Sequence, residues 1–111
     1  MKIYLCIPYS GNEEESFKVA NKMASQLMID GNIVFSPISH NHCIAKENDL
    51  PTSWEFWKPF DESFIEWCDA VYVVVMKNDG LLKIKQSIGV ECEIMTAKEL
   101  GKRVHYIHEL K

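Results

Sequence analysis

The chain of 111 residues has no excess of positive charge, and its formal net charge is −4 at pH 7. Proteins that bind nucleic acids or anionic membrane surfaces usually present a basic patch, so we expect neither partner. The longest apolar run, AVYVVVM at residues 70–76, is far shorter than the roughly 20 residues that cross a bilayer. Residues 1–11 contain an apolar run of strand length, without the longer apolar core and cleavage site of a signal peptide. We therefore expect no association with a membrane.

Cysteine and histidine are few and form no ligand pattern. The four cysteines stand singly, without C-x-x-C spacing, at positions 6, 43, 68 and 92. Scattered cysteines are typical of reduced thiols, so we expect a cytoplasmic protein without a disulfide framework. The segment HNHC at residues 40–43 matches no tetrahedral zinc spacing, and no second pair completes one, so we expect no metal and no other cofactor. His40 and His42 fit better as loop histidines that contact a ligand.

Short apolar segments alternate along the chain with segments of helical periodicity. Strands are predicted at residues 2–7, 32–38, 70–76 and 103–109. Helices are predicted from Asn12, which has Glu15 three positions on, to the DG at 30–31, from 59 to about 69, and from 88 to 100. This alternation predicts a single domain over residues 1–111, with a three-layer α/β/α, Rossmann-like (flavodoxin-like) fold and a parallel sheet of four to five strands.

Residues 39–58 and 77–86 have no clean period and are predicted to be loops. In parallel α/β sheets a ligand binds in the crevice outside the carboxyl ends of the strands. The segments expected there are PYSGN at 8–12, the loop at 36–58 and residues 77–89. We expect any chemistry to come from these loops and from the helix starts that follow them.

Glu93 is the first candidate for chemistry, because it lies in the first two turns of the helix predicted at 88–100. Val90, Ile94 and Ala97 form the apolar face of that helix, and Glu93 lies about 60° from Val90, at the edge of the face. A half-buried carboxylate there can act as a nucleophile or a base if a neighbour tunes its pKa. The alternative is a boundary glutamate whose carboxylate stays in water.

Asp61 lies near the start of the helix predicted from residue 59, among the apolar residues Phe60, Phe64 and Ile65. As a first-turn aspartate it would interact favourably with the helix dipole. As a second carboxyl at the crevice it would pair with Glu93, so that one group acts as nucleophile while another handles the proton, as glycosidic chemistry requires. The residues alone leave both interpretations open.

Ser87 and Gly89 stand at the start of the helix that carries Glu93. Ser87 suits an N-cap, and its hydroxyl together with free backbone N–H groups also suits an anion. Pro8, Ser10 and Gly11 form a second candidate anion site, at the start of the first helix. Neither segment matches G-x-G-x-x-G or the Walker A pattern, so these helix starts suggest a phosphate without specifying one.

Four motifs occur in order along nearly the whole chain. They are IYLCIPYSG, VFSPISHNH, D-x-x-x-I-x-x-C-D-A-V-Y-V-V and S-x-G-V-x-x-E-I-x-x-A-x-x-x-G-K-x-V. Together they resemble the nucleoside 2-deoxyribosyltransferase-like superfamily, in particular its short bacterial and phage members. The last motif is the most specific of the four.

The resemblance implies a reaction and assigns roles to particular residues. Known enzymes of the superfamily cleave the N-glycosidic bond of deoxynucleosides or of their 5′-monophosphates, and Glu93 matches their nucleophilic glutamate. Asp61 matches an aspartate that contacts the nucleoside, and Tyr4 matches a first-strand tyrosine that can orient the glutamate. Ser87 matches the serine that the similar 2′-deoxynucleoside 5′-phosphate N-hydrolases use for the phosphate, at a position where the transferases have an aspartate.

The resemblance is incomplete in the first loop, where those hydrolases clamp the phosphate with a serine and an arginine. The segment PYSG has no arginine, so Lys83 or Lys85 would have to supply the charge. The leading hypothesis is an enzyme, an N-glycosidase that hydrolyses a (deoxy)nucleoside 5′-monophosphate. The alternatives are a nucleoside 2-deoxyribosyltransferase and a catalytically inactive nucleotide-binding or sensing module. The expected partner is a small-molecule nucleoside or nucleotide, and the resemblance also implies a homodimer.

Overall fold

The computed structural model of the protein describes residues 1–51 and 53–109. Within them are four strands, β1 (Lys2–Cys6), β2 (Ile33–Phe35), β3 (Ala70–Val75) and β4 (Arg103–His108). The same residues form five helices, α1 (Glu13–Ile29), α2 (Pro37–Asn48), α3 (Trp54–Trp67), α4 (Gly80–Gln86) and α5 (Ile88–Glu99). In this described part of the chain no helix is both long enough and apolar enough to cross a membrane.

The four strands form one parallel sheet in the order β2-β1-β3-β4. Tyr4 in β1 pairs with Phe35 on one side and with Val71 on the other. The chain leaves β1 toward β2 and leaves β3 toward β4, in opposite directions across the sheet, so the topological switch point lies between β1 and β3. The predicted parallel α/β fold is confirmed, with four strands.

Helices cover the sheet on both faces. Successive side chains of a strand point to opposite sides of the sheet, so neighbouring residues of β1 pack against different helices. Tyr4 of β1 belongs to a core cluster with Ile65 of α3 and Val90 of α5. Leu5, the next residue of β1, belongs to a second cluster with Val19 of α1. The layers are therefore α3 and α5 on one face, the sheet, and α1 on the other face, which confirms the predicted three-layer arrangement.

The segment at 39–58 was predicted to be a loop, but it contains most of α2 and the start of α3. α2 begins at Pro37, where proline is tolerated because the first N–H groups of a helix have no partner inside it. The buried face of α2 includes two polar residues, Asn41 and His42, so its sequence shows no apolar period. β2 accordingly ends at Phe35, before the predicted limit at residue 38.

α3 begins at Trp54, five residues before its predicted start, and Pro59 lies inside it. Proline favours first-turn positions of helices, so the helix was predicted to start at Pro59 although this residue lies inside α3. Asp61 is consequently in the middle of α3, so the interpretation of Asp61 as a first-turn charge is wrong.

The segment at 77–86, also predicted to be a loop, contains the short helix α4. Its start packs closely against the end of β3: a Cβ placed on Gly80 would lie 2.8 Å from Cγ1 of Val75. α4 ends at Gln86, and the next residue, Ser87, is both the C-cap of α4 and the N-cap of α5. This close packing places α4 beside the carboxyl edge of the sheet.

Candidate active site

A crevice of about 790 Å³ lies at the carboxyl edge of the sheet, above the end of β1. Its walls are formed by residues of the β1–α1 loop, by the inward faces of α2 and α3, and by the junction of α4 and α5. The crevice thus opens near the switch point of the sheet, where ligands of open α/β folds bind. Its volume lies within the range of small-molecule sites.

Glu93 lies in the second turn of α5, and only 6% of its surface is exposed. The fully buried Tyr4 of β1 donates its hydroxyl hydrogen bond to Oε2 of Glu93. Burial, followed by the nearby Asp61, raises the pKa of Glu93 to about 8, while hydrogen bonds from Tyr4 and Cys6 act in the opposite direction. The carboxyl is therefore inside the crevice wall, and the alternative of a boundary glutamate with its carboxylate in water is wrong.

Asp61 reaches the same crevice from α3 and is also 6% exposed. In the described part of the chain nothing donates a hydrogen bond to its Oδ1. Burial raises the pKa of Asp61 to about 7, and the Tyr4 hydroxyl opposes this shift. An unpartnered buried oxygen is costly unless a ligand or a proton satisfies it. The side chain is thus suited to hold a proton or to bind a donor from a ligand.

The two carboxyls form a coupled pair, because the charge of Asp61 also raises the pKa of Glu93. Two like charges in one desolvated site do not ionise together easily. Near neutral pH the pair therefore retains a proton, so that one carboxyl can act as an acid while the other is ionised.

The junction between α4 and α5 forms one rim of the crevice. Ser87 caps α5, and its Oγ accepts a hydrogen bond from the Val90 N–H at 3.2 Å. Ser87 and Gly89 line the crevice, as does Lys83, whereas Lys85 is exposed outside it. Of the two lysines suggested by the sequence, Lys83 is the one that the structure brings to the site.

The β1–α1 loop forms another part of the rim. Pro8 and Ser10 line the crevice, whereas Gly11 lies outside its lining. The Gly11 N–H donates a hydrogen bond of 2.7 Å to Oε2 of Glu13. The Glu13 carboxylate therefore already accepts a hydrogen bond from one N–H group of the anion site that was predicted in this loop.

The two predicted ligand-contacting histidines lie in different surroundings. His42 is buried on α2 and lines the crevice, with Nδ1 2.5 Å from the Tyr9 hydroxyl and Nε2 3.4 Å from Oε1 of Glu14. His40 is exposed, stacks on Phe60 and lies outside the crevice lining. Only His42 is brought together with the carboxyl pair.

Several crevice-lining residues were not predicted as site residues from the sequence, among them Tyr9, Asn41 and Trp54. Tyr9 lies inside the PYSGN segment, so its position at the carboxyl end of a strand was a usable signal. Asn41 belongs to α2, which was predicted to be a loop. In residues 1–51 and 53–109, no group of three His, Cys, Asp or Glu side chains is arranged to hold a metal ion.

The fold and this site define a parallel α/β protein with two buried carboxyls in a crevice at the switch point of the sheet. The chain belongs to the family described as Domain of unknown function (DUF1937), whose model matches residues 1–109. Among solved structures it is similar to a 2-deoxyribosyltransferase from the psychrotolerant bacterium Bacillus psychrosaccharolyticus, with 29% identity and a TM-score of 0.63 over 97% of this chain and 72% of that one. A comparison with curated proteins gave no match. The structural similarity supports the superfamily predicted from the sequence.

Proposed function

We propose that the protein is an N-glycosidase that hydrolyses the bond between base and sugar in a nucleoside or deoxynucleoside 5′-monophosphate. The observation that carries this proposal is the pair of buried carboxyls, Glu93 and Asp61, in a crevice of nucleotide size. Within the described residues neither carboxyl has a cationic partner, so burying them destabilises the fold, and such pairs are typical of active sites. The similarity to a 2-deoxyribosyltransferase supports chemistry at a glycosidic bond of a nucleoside.

In the first step the Glu93 carboxylate attacks the anomeric carbon of the sugar. A carbon–oxygen bond to Glu93 forms as the carbon–nitrogen bond to the base breaks, and the electron pair of the broken bond goes to the base. Protonated Asp61 gives its proton to the base, which leaves as a neutral molecule. The reactive form is the singly protonated pair with its proton on Asp61. The pKa values of about 7 for Asp61 and about 8 for Glu93 place a single proton more often on Glu93, so the reactive form is the less populated of the two near neutral pH. The hydrogen bond from Tyr4 favours the charge on Glu93.

In the second step water attacks the same carbon of the glycosyl-enzyme ester. The Asp61 carboxylate accepts a proton from this water, and the bond between the sugar and Glu93 breaks. The sugar gains the hydroxyl of the water, and Glu93 and Asp61 return to the singly protonated pair. No group other than water is consumed, so the protein needs no co-reactant.

The start of α5 is the proposed site of the 5′-phosphate. The Ser87 oxygen accepts the Val90 N–H, which leaves the hydroxyl proton free to bind a phosphate oxygen. The first N–H groups of this helix and its dipole also favour an anion. Arg103 cannot reach this site, because it is the first residue of β4 and lies at the amino ends of the strands, whereas the crevice lies at their carboxyl ends. Lys83, which lines the crevice, is the proposed cation.

A nucleoside 2-deoxyribosyltransferase is the second candidate, and the transferase among the similar structures favours it. The same glycosyl-enzyme would then react with a second base instead of water. A nucleotide-binding module without turnover is the third candidate. A single domain over residues 1–111, a cytoplasmic location and a homodimer remain predictions of the sequence.

Release of free base tests the proposal. The protein is incubated with a panel of nucleoside and deoxynucleoside 5′-monophosphates, and the released base is measured by chromatography. We expect release by the native protein and by Glu91→Gln, a control at an exposed position of the same helix, and no release by Glu93→Gln. Exchange of bases between unphosphorylated nucleosides, without hydrolysis of monophosphates, would replace the hydrolase with the transferase. Binding of a monophosphate without either reaction would make the chain a binding module.

A further inference from the structure

The two helix starts that face the crevice differ in charge. The first turn of α1 carries Glu13, Glu14 and Glu15. The Glu13 carboxylate already accepts a hydrogen bond from the Gly11 N–H, so this end of the crevice is unsuited to an anion. The start of α5 has Ser87 as its cap and Lys83 beside it, while its first-turn acid, Glu91, is exposed and outside the lining. A substrate with one anionic group is therefore expected to place that group at α5.

The two ends also lie on opposite faces of the sheet, since α5 packs in one core cluster and α1 in the other. Glu93 and Asp61 belong to α5 and α3, and the Tyr4 side chain of β1 lies on the same face of the sheet as these helices. In a nucleotide the phosphate and the base are attached to different carbons of the sugar and extend away from each other. With the phosphate at α5 and the anomeric carbon at Glu93, the base extends toward the β1–α1 loop and α2.

Tyr9 and His42 lie at that end, and both line the crevice. The His42 side chain is 5% exposed, and its ring stacks on Phe17 of α1 with the ring centroids 4.4 Å apart. Each ring nitrogen faces one partner, since Nδ1 lies 2.5 Å from the Tyr9 hydroxyl and Nε2 lies 3.4 Å from the Glu14 carboxylate. The ring is thus held by its stack on Phe17 and by the partners of both of its nitrogens, which fix its orientation.

These partners determine the direction of the hydrogen bond to Tyr9. A carboxylate only accepts, so of the two imidazole tautomers this contact favours the one with its proton on the nitrogen that faces Glu14. Nδ1 is then an acceptor, and the Tyr9 hydroxyl must donate to it. The proton of Tyr9 is committed to His42, and in the described part of the chain no group donates to its oxygen. The lone pairs of this oxygen therefore remain available to a ligand as acceptors.

We propose that the Tyr9 oxygen, held as an acceptor by His42, selects a base that carries an amino group. This inference rests on the proposed function and names its substrate class, nucleoside 5′-monophosphates of aminated bases such as adenine and cytosine. A base with a carbonyl oxygen at that position presents a second acceptor, and two acceptors facing each other without a proton repel. Tyr9 is a specificity-determining residue in this scheme, and His42 is a positioning residue that acts through Tyr9.

The experiment compares substrates in which a carbonyl replaces the amino group and the adjacent ring nitrogen gains a hydrogen. Two matched pairs are used, adenosine against inosine 5′-monophosphate and cytidine against uridine 5′-monophosphate, each also as the deoxynucleotide. Both kcat/KM for base release and the dissociation constant of the Glu93→Gln variant, measured by calorimetry, are determined. We expect at least one pair to show a preference of about tenfold or more for the amino member, since one hydrogen bond is gained and one repulsion avoided. The pair that shows the preference identifies the ring size that the crevice accepts.

Variants then assign the preference to Tyr9 and His42. Tyr9→Phe is expected to bring the ratio within the pair close to one, whereas Tyr106→Phe, at an exposed tyrosine of β4, leaves it unchanged. His42→Leu and His42→Asn both lose the stack on Phe17, but only the asparagine can accept the Tyr9 hydroxyl through its side-chain oxygen. The preference is therefore expected to survive in His42→Asn and to disappear in His42→Leu, which a purely structural role of His42 would not produce.

The outcomes separate this inference from the proposed function. Base release with equal efficiency for both members of each pair would overturn the role of Tyr9 and leave the glycosidase intact. A preference that persists in Tyr9→Phe would overturn it as well. Absence of both binding and turnover for every monophosphate would overturn the proposed function and this inference together.

Discussion

Replacement of Glu93 by glutamine is expected to stabilise the protein at neutral and alkaline pH while it abolishes base release. Burial and the neighbouring Asp61 raise the pKa of Glu93 from 4.5 to about 8 in the folded protein. Between these two values the folded protein holds a proton that the unfolded chain has lost, so stability falls as the pH rises through this window. The loss is roughly 3 kcal/mol at pH 7 and approaches about 5 kcal/mol above pH 8, at ~1.4 kcal/mol per pH unit.

Glutamine escapes this loss, because it does not ionise, has nearly the same shape and can still accept the hydrogen bond from Tyr4. Urea unfolding, followed by tryptophan fluorescence, measures the free energy of unfolding at about pH 5 and about pH 8. We expect Glu93→Gln to gain less than about 1 kcal/mol at the lower pH and several kcal/mol at the higher one. The exposed Glu91→Gln control should stay within about 0.5 kcal/mol of the native protein at both. A Glu93→Gln protein that is less stable at pH 8, or whose difference from the native protein is the same at both pH values, would refute the reasoning, since the carboxylate would then be favourably ionised in the folded state.

Three further predictions concern the surroundings of the carboxyl pair, the packing of α4 and the phosphate site. Tyr4→Phe removes a hydrogen bond that lowers the pKa of Glu93. The acidic limb of the pH profile of kcat/KM should therefore move to higher pH, with about a tenfold loss of kcat/KM at neutral pH. An acidic limb that does not move would contradict the role of Tyr4. Gly80→Ala should destabilise the protein by about 1–3 kcal/mol in urea unfolding, because the added Cβ lies 2.8 Å from a Val75 side-chain atom, whereas Gly89→Ala, with its nearest neighbour at 4.0 Å, should be neutral or stabilising. Lys83→Met should weaken binding of a 5′-monophosphate about tenfold in calorimetry and leave nucleoside binding unchanged. Lys85→Met, outside the crevice lining, should change neither affinity. Equal effects of the two variants would show that Lys83 does not bind the phosphate.

The sheet and the long helices could be predicted because their residues carry the signal themselves. β3 is a continuous apolar run whose side chains are buried on both faces, and α1 is followed, two residues after its end at Ile29, by Gly31 with φ 95°. α2 gave no such signal, because Asn41 and His42 occupy its buried face and their partners come from elsewhere in the chain. Polar residues are compatible with a buried helical face only when tertiary hydrogen bonds satisfy them, and a local window of sequence does not contain those partners.

The same limit applies to the depth of Glu93. Its position on the helix wheel placed it at the edge of the apolar face, but its burial depends on Tyr4, which lies 89 positions earlier in the chain. The role of Tyr4 came from the resemblance to a family, since nothing in the spacing of the two residues connects them. The Tyr9–His42 contact was not predicted, because it needs α2 to be a helix that brings His42 against the first loop.

The stability and the activity of the Glu93→Gln protein together test whether the carboxyl pair is there for chemistry. Glu93 and Asp61 are buried, both have raised pKa values, and Oδ1 of Asp61 has no partner within the described residues. A core position with a purely structural role would be more stable with an amide or an apolar side chain. If glutamine at this position stabilises the protein and abolishes base release, the native protein has a lower free energy of unfolding because it keeps a buried ionisable group for catalysis, as expected for an active site. If it stabilises the protein and base release continues, Glu93 is not the nucleophile, and Asp61 becomes the carboxyl to test.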